Sequence, residues 1–194
     1  MHRLLLELPT RIDSERLYLR SYQAGDGPWY YRMSQANRQH LERYEADNPA
    51  RGLQSEEEAE ILVRDFAADW VARRAFFLGA FRQTDQVFVA QIYIGAVTWA
   101  LPEFQIGYFV DFKYEGQGYV TEAVSASLGF IFRDLNAHRV RLECDDTNRR
   151  SRGVAERCGL IQEGHLRETK RNADGTISGT LYYGLLRQEF TRAG

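Results

Sequence analysis

The chain has 194 residues, of which 44% are hydrophobic and 27% charged. These are ordinary globular proportions, and they exclude disorder, a collagen-like repeat or a coiled coil as a description of the whole. The 25 basic and 27 acidic side chains leave a net charge of -2, and neither half is strongly basic, so nothing recruits nucleic acid by bulk electrostatics.

In chain order, the apolar run around Leu4 to Leu6 is interrupted by Glu7 and Pro9. It is too short for a signal h-region or a membrane span, so a soluble cytoplasmic protein with no membrane partner is expected. Arg16 to Arg20 alternates polar and apolar residues as a half-buried strand does. Gly25-Asp26-Gly27-Pro28 then opens a helix predicted to run to Tyr44, with Asp47-Asn48-Pro49 ending it. Ser55 with Glu58 reads as a capping box for a helix to Arg74. Strands are predicted at residues 75–81, 87–99 and 104–112, with a hairpin turn over 82–86. A helix over 120–135 carries the stripe Val124, Leu128, Ile131, Leu135 and a second apolar face, so both of its sides should be covered. A strand over 139–144, a short helix over 149–158 stopped by Gly159, and strands over 161–169 and 180–186 complete the chain. No repeat or linker divides it, and one domain spanning residues 1–194 is expected. The order predicts a mixed α/β fold, with an antiparallel front half and one parallel crossover behind it.

Two cysteines, Cys144 and Cys158, lie in no CxxC or CxxH pair. Neither a disulfide framework nor a zinc site is expected, and no metal is called for. The segment from Tyr108 to Thr121 combines a strand, the Gly116-Gln117-Gly118 loop and a helix start. Free N–H groups at a helix N-terminus, with glycines that let a phosphate approach, make an anion site. Alone, such a loop is equally a tight strand-to-helix turn, since it lacks the third glycine of a dinucleotide fingerprint and the Lys of a P-loop.

The wider pattern resembles the GNAT acyltransferase superfamily and, within it, the RimJ/RimL-type N-acetyltransferases. The resemblance rests on Ser14 to Arg20, Ile106-Gly107-Tyr108, Gly116 to Ala123, His138-Arg139-Val140, Asn148 with Ser151, Glu156 to Leu160, Glu163-Gly164 with Arg167-Glu168, and Tyr183 to Leu186, in that order. It implies a sheet splayed between the fourth and fifth predicted strands, and acetyl-CoA as donor. Phe109, Val110 and Asp111 would offer backbone groups to the pantetheine. The amides of Gly116, Gln117, Gly118, Tyr119 and Val120, with the Thr121 hydroxyl, would hold the pyrophosphate. Two residues depart from the pattern: Lys113 stands where Gln or Arg is usual, and Glu115 places a carboxylate beside the expected diphosphate. Asn148 would bond the pantetheine arm and Ser151 would lie near the thioester sulfur; equally, Asn148 reads as a helix N-cap and Ser151 as an early helical residue. Arg149, Arg150 and Arg152 are candidates for the CoA 3′-phosphate or a solvated basic face.

The general base is the gap in the pattern. Relatives carry Glu before Ile-Gly-Tyr, but here Gln105 stands there. Glu103, two residues upstream on the same strand face, is the local substitute, or else an exposed charge. Gly179 stands where relatives often carry Asp. The aromatics Trp29, Tyr30, Tyr31 and Tyr44 fall where the family shapes its acceptor pocket. The expectation is an acetyl-CoA-dependent N-acetyltransferase acting by direct attack on a primary amine, of a protein N-terminus or a small molecule, and working as a monomer or homodimer. A catalytically silent acyl-CoA-binding module is the alternative.

Overall fold

The computed structural model describes residues 2–42, 44–45, 48–172 and 174–193. Asp47 of the predicted helix stop lies outside them. Eight strands form one sheet: β1 (Ile12–Asp13), β2 (Leu17–Ser21), β3 (Ala75–Arg82), β4 (Phe88–Thr98), β5 (Glu103–Val110), β6 (Arg139–Asp145), β7 (Ile161–Arg171) and β8 (Ile177–Leu186). Five α-helices accompany them: α1 (Gly27–Glu42), α2 (Glu56–Ala72), α3 (Tyr119–Arg133), α4 (Arg149–Arg157) and α5 (Arg187–Ala193). The sheet order is β1-β2-β3-β4-β5-β6-β8-β7, and every pair is antiparallel except β5 with β6.

Strand alternation divides the apolar residues between the two faces. Leu17, Leu19, Phe76, Leu78, Ile92, Ile94, Phe104 and Ile106 join the buried cluster that contains α3. Tyr22, Phe81, Phe88 and Phe109 join Tyr30, Met33, Val63 and Phe66 of α1 and α2. The α3 stripe is buried as predicted, and Ala123 and Phe130 bury its second face. Ser55 caps α2, its hydroxyl accepting from Glu58 N–H at 3.1 Å. The Glu58 carboxylate reaches back to Gln54 N–H at 2.7 Å, one residue earlier than in the usual reciprocal box. Beyond the predicted elements lie β1 and α5. Phe112, predicted as strand, begins instead a 3-10 turn (Phe112–Tyr114) that Asp111 caps.

The feature that positions the site is the parallel pair. β5 and β6 are in register for three residues only, Glu103 with Arg139 through Gln105 with Arg141. Beyond that point β5 stays with β4 as far as Val110, and β6 stays with β8 as far as Asp145. The sheet therefore opens between β5 and β6, leaving backbone groups on two facing edges without a ladder partner.

Candidate active site at the parting of two strands

The glycine loop lies at the C-terminal end of β5. Gly116 and Gly118 have φ of 73° and 79°, the left-handed region that a side chain disfavours. Gly118 is the N-cap of α3 and brings no side chain to cap it. The first backbone bond there runs from Glu122 N–H to the Gly118 carbonyl, so the amides of Tyr119, Val120 and Thr121 are first-turn donors with no helical acceptor.

The loop is fastened from three sides. The Asn37 side-chain oxygen accepts from Phe112 N–H at 2.9 Å, and its amide donates to Asp111 Oδ2 at 3.3 Å. Both residues are buried, which ties α1 to the strand end. Glu122 accepts from the Ser14 hydroxyl, the Arg16 N–H and the Arg16 guanidinium, each at 2.7 Å. Burial opposes the charge on Glu122, but these three donors outweigh it and hold its carboxyl below the usual range. Arg157 reaches the Thr121 hydroxyl at 3.4 Å. Of the three arginines that are candidates for the CoA 3′-phosphate, Arg150 pairs with Glu115, and His40 lies 3.6 Å from the same carboxylate. Arg152 pairs with Glu156 and Arg149 is exposed.

Asn148 and Ser151 stand at the opening. Asn148 caps α4, its side-chain oxygen accepting from Ser151 N–H at 3.0 Å. Ser151 Oγ lies 2.9 Å from the Tyr108 hydroxyl, which comes from the freed part of β5. Burial raises the Tyr108 phenol well above its ordinary range, although the Ser151 bond pulls it down. Burial also pushes up Cys144, and it pushes Cys158 to about 11, so both thiols stay protonated near neutrality.

A cavity of about 170 Å³ opens here, lined in part by Tyr44, Glu45, Glu143, Cys144, Asp145, Ser151 and Lys170. Of the four aromatics considered for the acceptor pocket, Tyr44 reaches it. Tyr30 is buried, with its hydroxyl 2.9 Å from Gln91 Oε1, while Trp29 bonds Asp26 and Tyr31 bonds the Gln54 carbonyl.

The candidate base Glu103, and Gln105 at the usual base position, lie elsewhere. Glu103 is 3.5 Å from Arg139 at the joined end of β5 and β6, five residues or about 16 Å of strand from Tyr108. Gln105 Oε1 accepts from the Arg141 guanidinium at 3.1 Å. Neither lines the cavity. His165 lies 2.9 Å from Asp146 Oδ2. The sequence also gave no signal for Asn37, Arg157 or Glu45, because their partners are remote along the chain or set by a loop. Among the described residues no group of three or more His, Cys, Asp or Glu could hold a metal ion, and no helix is long and apolar enough to cross a membrane.

Residues 16–161 match the family model described as the acetyltransferase (GNAT) domain. The chain belongs to the GNAT acetyltransferases. A Bacillus subtilis (strain 168) protein named "Putative ribosomal N-acetyltransferase YdaF" is 33% identical over 86 residues, which cover 44% of this chain and 46% of that protein. The match thus spans about half the length of that relative. Among solved structures, the ribosomal L7/L12 alpha-N-protein acetyltransferase RimL in complex with coenzyme A superposes with a TM-score of 0.81 at 20% identity, covering 91% of this chain and 97% of that one. Mycobacterium smegmatis RimJ in complex with a CoA disulfide gives 0.80 at 22%, covering 100% and 98%. These likenesses carry the fold.

Proposed function

We propose that this GNAT chain transfers the acetyl group of acetyl-CoA to a primary amine, by direct attack while both substrates are bound. The carrying observation is the gap between β5 and β6, with Ser151 and Tyr108 at its edge and the Glu45 cavity beside it. Unpaired strand edges inside a sheet suit an extended amide-bearing arm, and the first-turn amides of α3 suit a pyrophosphate. Phe109 and Val110 at the end of β5, with Asp111 just after it, would offer backbone groups to the pantetheine. Gly116 to Thr121 provide the anion cradle, with Arg157 as an added cation at Thr121.

Acetyl-CoA supplies the acetyl group as an activated thioester. Ser151 can then donate to the departing sulfur, and the Tyr108 phenol, protonated at any working pH, keeps Ser151 oriented. The acceptor cavity has three carboxylates against one lysine among its lining residues. That balance favours a cationic amine, as on a protein N-terminus, including that of a ribosomal protein, or on a small polyamine.

The test is thiol release from acetyl-CoA across N-terminal peptides, polyamines and aminoglycosides. Turnover with at least one amine is expected. A chain whose melting temperature rises with CoA but that acetylates nothing in the panel is a binding module instead.

A further inference from the structure

The three carboxylates of the cavity are not equivalent. Asp145 is fully engaged: Oδ1 accepts from the Thr147 N–H at 2.9 Å and the Thr147 hydroxyl at 2.6 Å, and Oδ2 accepts from the Ser178 hydroxyl at 2.5 Å. Burial works against its charge, yet those donors and Lys170 hold it below the usual range, which makes it a poor proton acceptor. Glu143 lies 3.8 Å from Arg141, the same guanidinium that Gln105 binds. Glu45 is held only loosely, by an Asn48 amide 3.4 Å from Oε2, and has no ion pair within 4.0 Å among the described residues.

Glu45 follows the end of α1, and its neighbour Tyr44 has its hydroxyl 3.5 Å from Thr147 Oγ1. This ties the end of α1 to the loop that leads into α4 and Ser151. Glu45 and Ser151 line the same cavity. Burial pushes the Glu45 carboxyl up, against the Asn48 amide and the Lys170 charge. The other titratable groups facing this space are Tyr44, Glu143 and Asp145, Cys144 behind them, and Tyr108 across the gap, whose phenol is close enough to be influenced by Glu45.

We propose that Glu45 takes the proton from the acceptor amine, the role the sequence suggested for Glu103. This assignment rests on the acetyltransferase reading above. The substrate ammonium loses an N–H bond as Glu45 gains an O–H bond. The freed nitrogen lone pair forms the C–N bond to the acetyl carbonyl carbon. The C–S bond breaks, its electron pair goes to sulfur, and sulfur takes the Ser151 hydroxyl proton; the acylated nitrogen gives up its second proton through water to Ser151, which restores the hydroxyl and leaves a neutral amide. Glu45 returns its proton to water. A carboxyl group that burial pushes up is better matched to this task than an ordinary one.

The experiment compares Glu45→Gln and Glu103→Gln with the unaltered chain, using the amine that turns over best in the panel, from pH 6 to pH 10. We expect Glu45→Gln to lower kcat/KM at pH 7 by about a hundredfold. The loss should shrink to a few-fold at pH 10, where the amine deprotonates unaided. Glu103→Gln should stay within threefold with an unchanged profile. The melting shift given by CoA should persist in both variants, which separates a chemical loss from a folding one. A Glu45→Gln rate within threefold of normal at pH 7, or an equal loss at every pH, overturns the assignment alone. An unaltered chain that binds CoA but turns over no amine overturns the acetyltransferase reading, and this role with it.

Discussion

The Tyr108 hydroxyl lies 2.9 Å from Ser151 Oγ and 3.1 Å from the Ser151 carbonyl oxygen, bridging β5 to α4 across the gap in the sheet. The phenol has one proton and two oxygens to satisfy. Whichever it donates to, its neighbour Oγ is held at a fixed position beside the gap. Ser151→Ala should lower kcat by about ten- to a hundredfold while the CoA-induced melting shift remains. Tyr108→Phe keeps the Ser151 hydroxyl but frees its rotor, so a smaller loss is expected, about tenfold or less. Steady-state thiol release measures both. Equal and full activity in the two variants would remove Ser151 and Tyr108 from the chemistry.

The Glu122 clamp makes a stability prediction with a definite pH sense. Its folded carboxyl lies below the unfolded value, so its contribution is present above the unfolded pKa and disappears as pH falls through the folded one. Glu122→Gln retains the shape but weakens three charge-assisted bonds. It should cost about 1–2 kcal/mol near neutrality, which lowers Tm by roughly 3–6 °C in a chain of this size. The gap between variant and parent should close below about pH 4, as the parent protonates. A gap that widens toward acid would contradict the clamp.

Local pattern carried the elements that a short window can define. The Ser55 cap, the α3 stripe and the β3–β4 hairpin need only neighbouring residues, and Gly159 at φ 81° ends α4 as its type implies. The gap between β5 and β6 came from resemblance and not from periodicity, because a strand's sequence does not say where its partner leaves it. The setting of the candidate base Glu103 was hidden for the same reason. Strand alternation gives its face but not its neighbour across the sheet. Arg139, 36 residues away, is the neighbour it meets. Asn37 and Asp111, 74 residues apart, were beyond any window, and β1 and α5 are too short for a periodic signal.

Gly179 separates two explanations of a missing carboxylate. If it were simply a lost Asp, restoring one would raise the rate. A Cβ at this position would instead lie 2.5 Å from Asp146 Oδ2, 2.5 Å from the Leu166 carbonyl oxygen and 2.9 Å from His165 Nε2. The Asp146–His165 pair and the β7 backbone occupy that space. Gly179→Ala should destabilise the chain by about 1–3 kcal/mol in urea titrations. Gly179→Asp should cost more, since it adds a second carboxylate beside Asp146, and should give no gain in kcat. An active and equally stable Gly179→Asp would show that the space is open.

Glu115 lies directly before the cradle, where a lone carboxylate would repel a diphosphate. The Arg150 guanidinium pairs with it, so its charge is offset before a ligand arrives. Arg150 is exposed, which limits the worth of the pair to the range of surface ion pairs. Arg150→Ala should therefore weaken CoA binding by about three- to fivefold, and Glu115→Gln should strengthen it by a similar factor. The double variant should fall between them. Calorimetric titration at low salt reads these differences, and they should diminish at high salt, where the Debye length falls to about 3 Å. A Glu115→Gln chain that binds CoA more weakly than its parent would mean that the carboxylate supports the loop instead of opposing the anion.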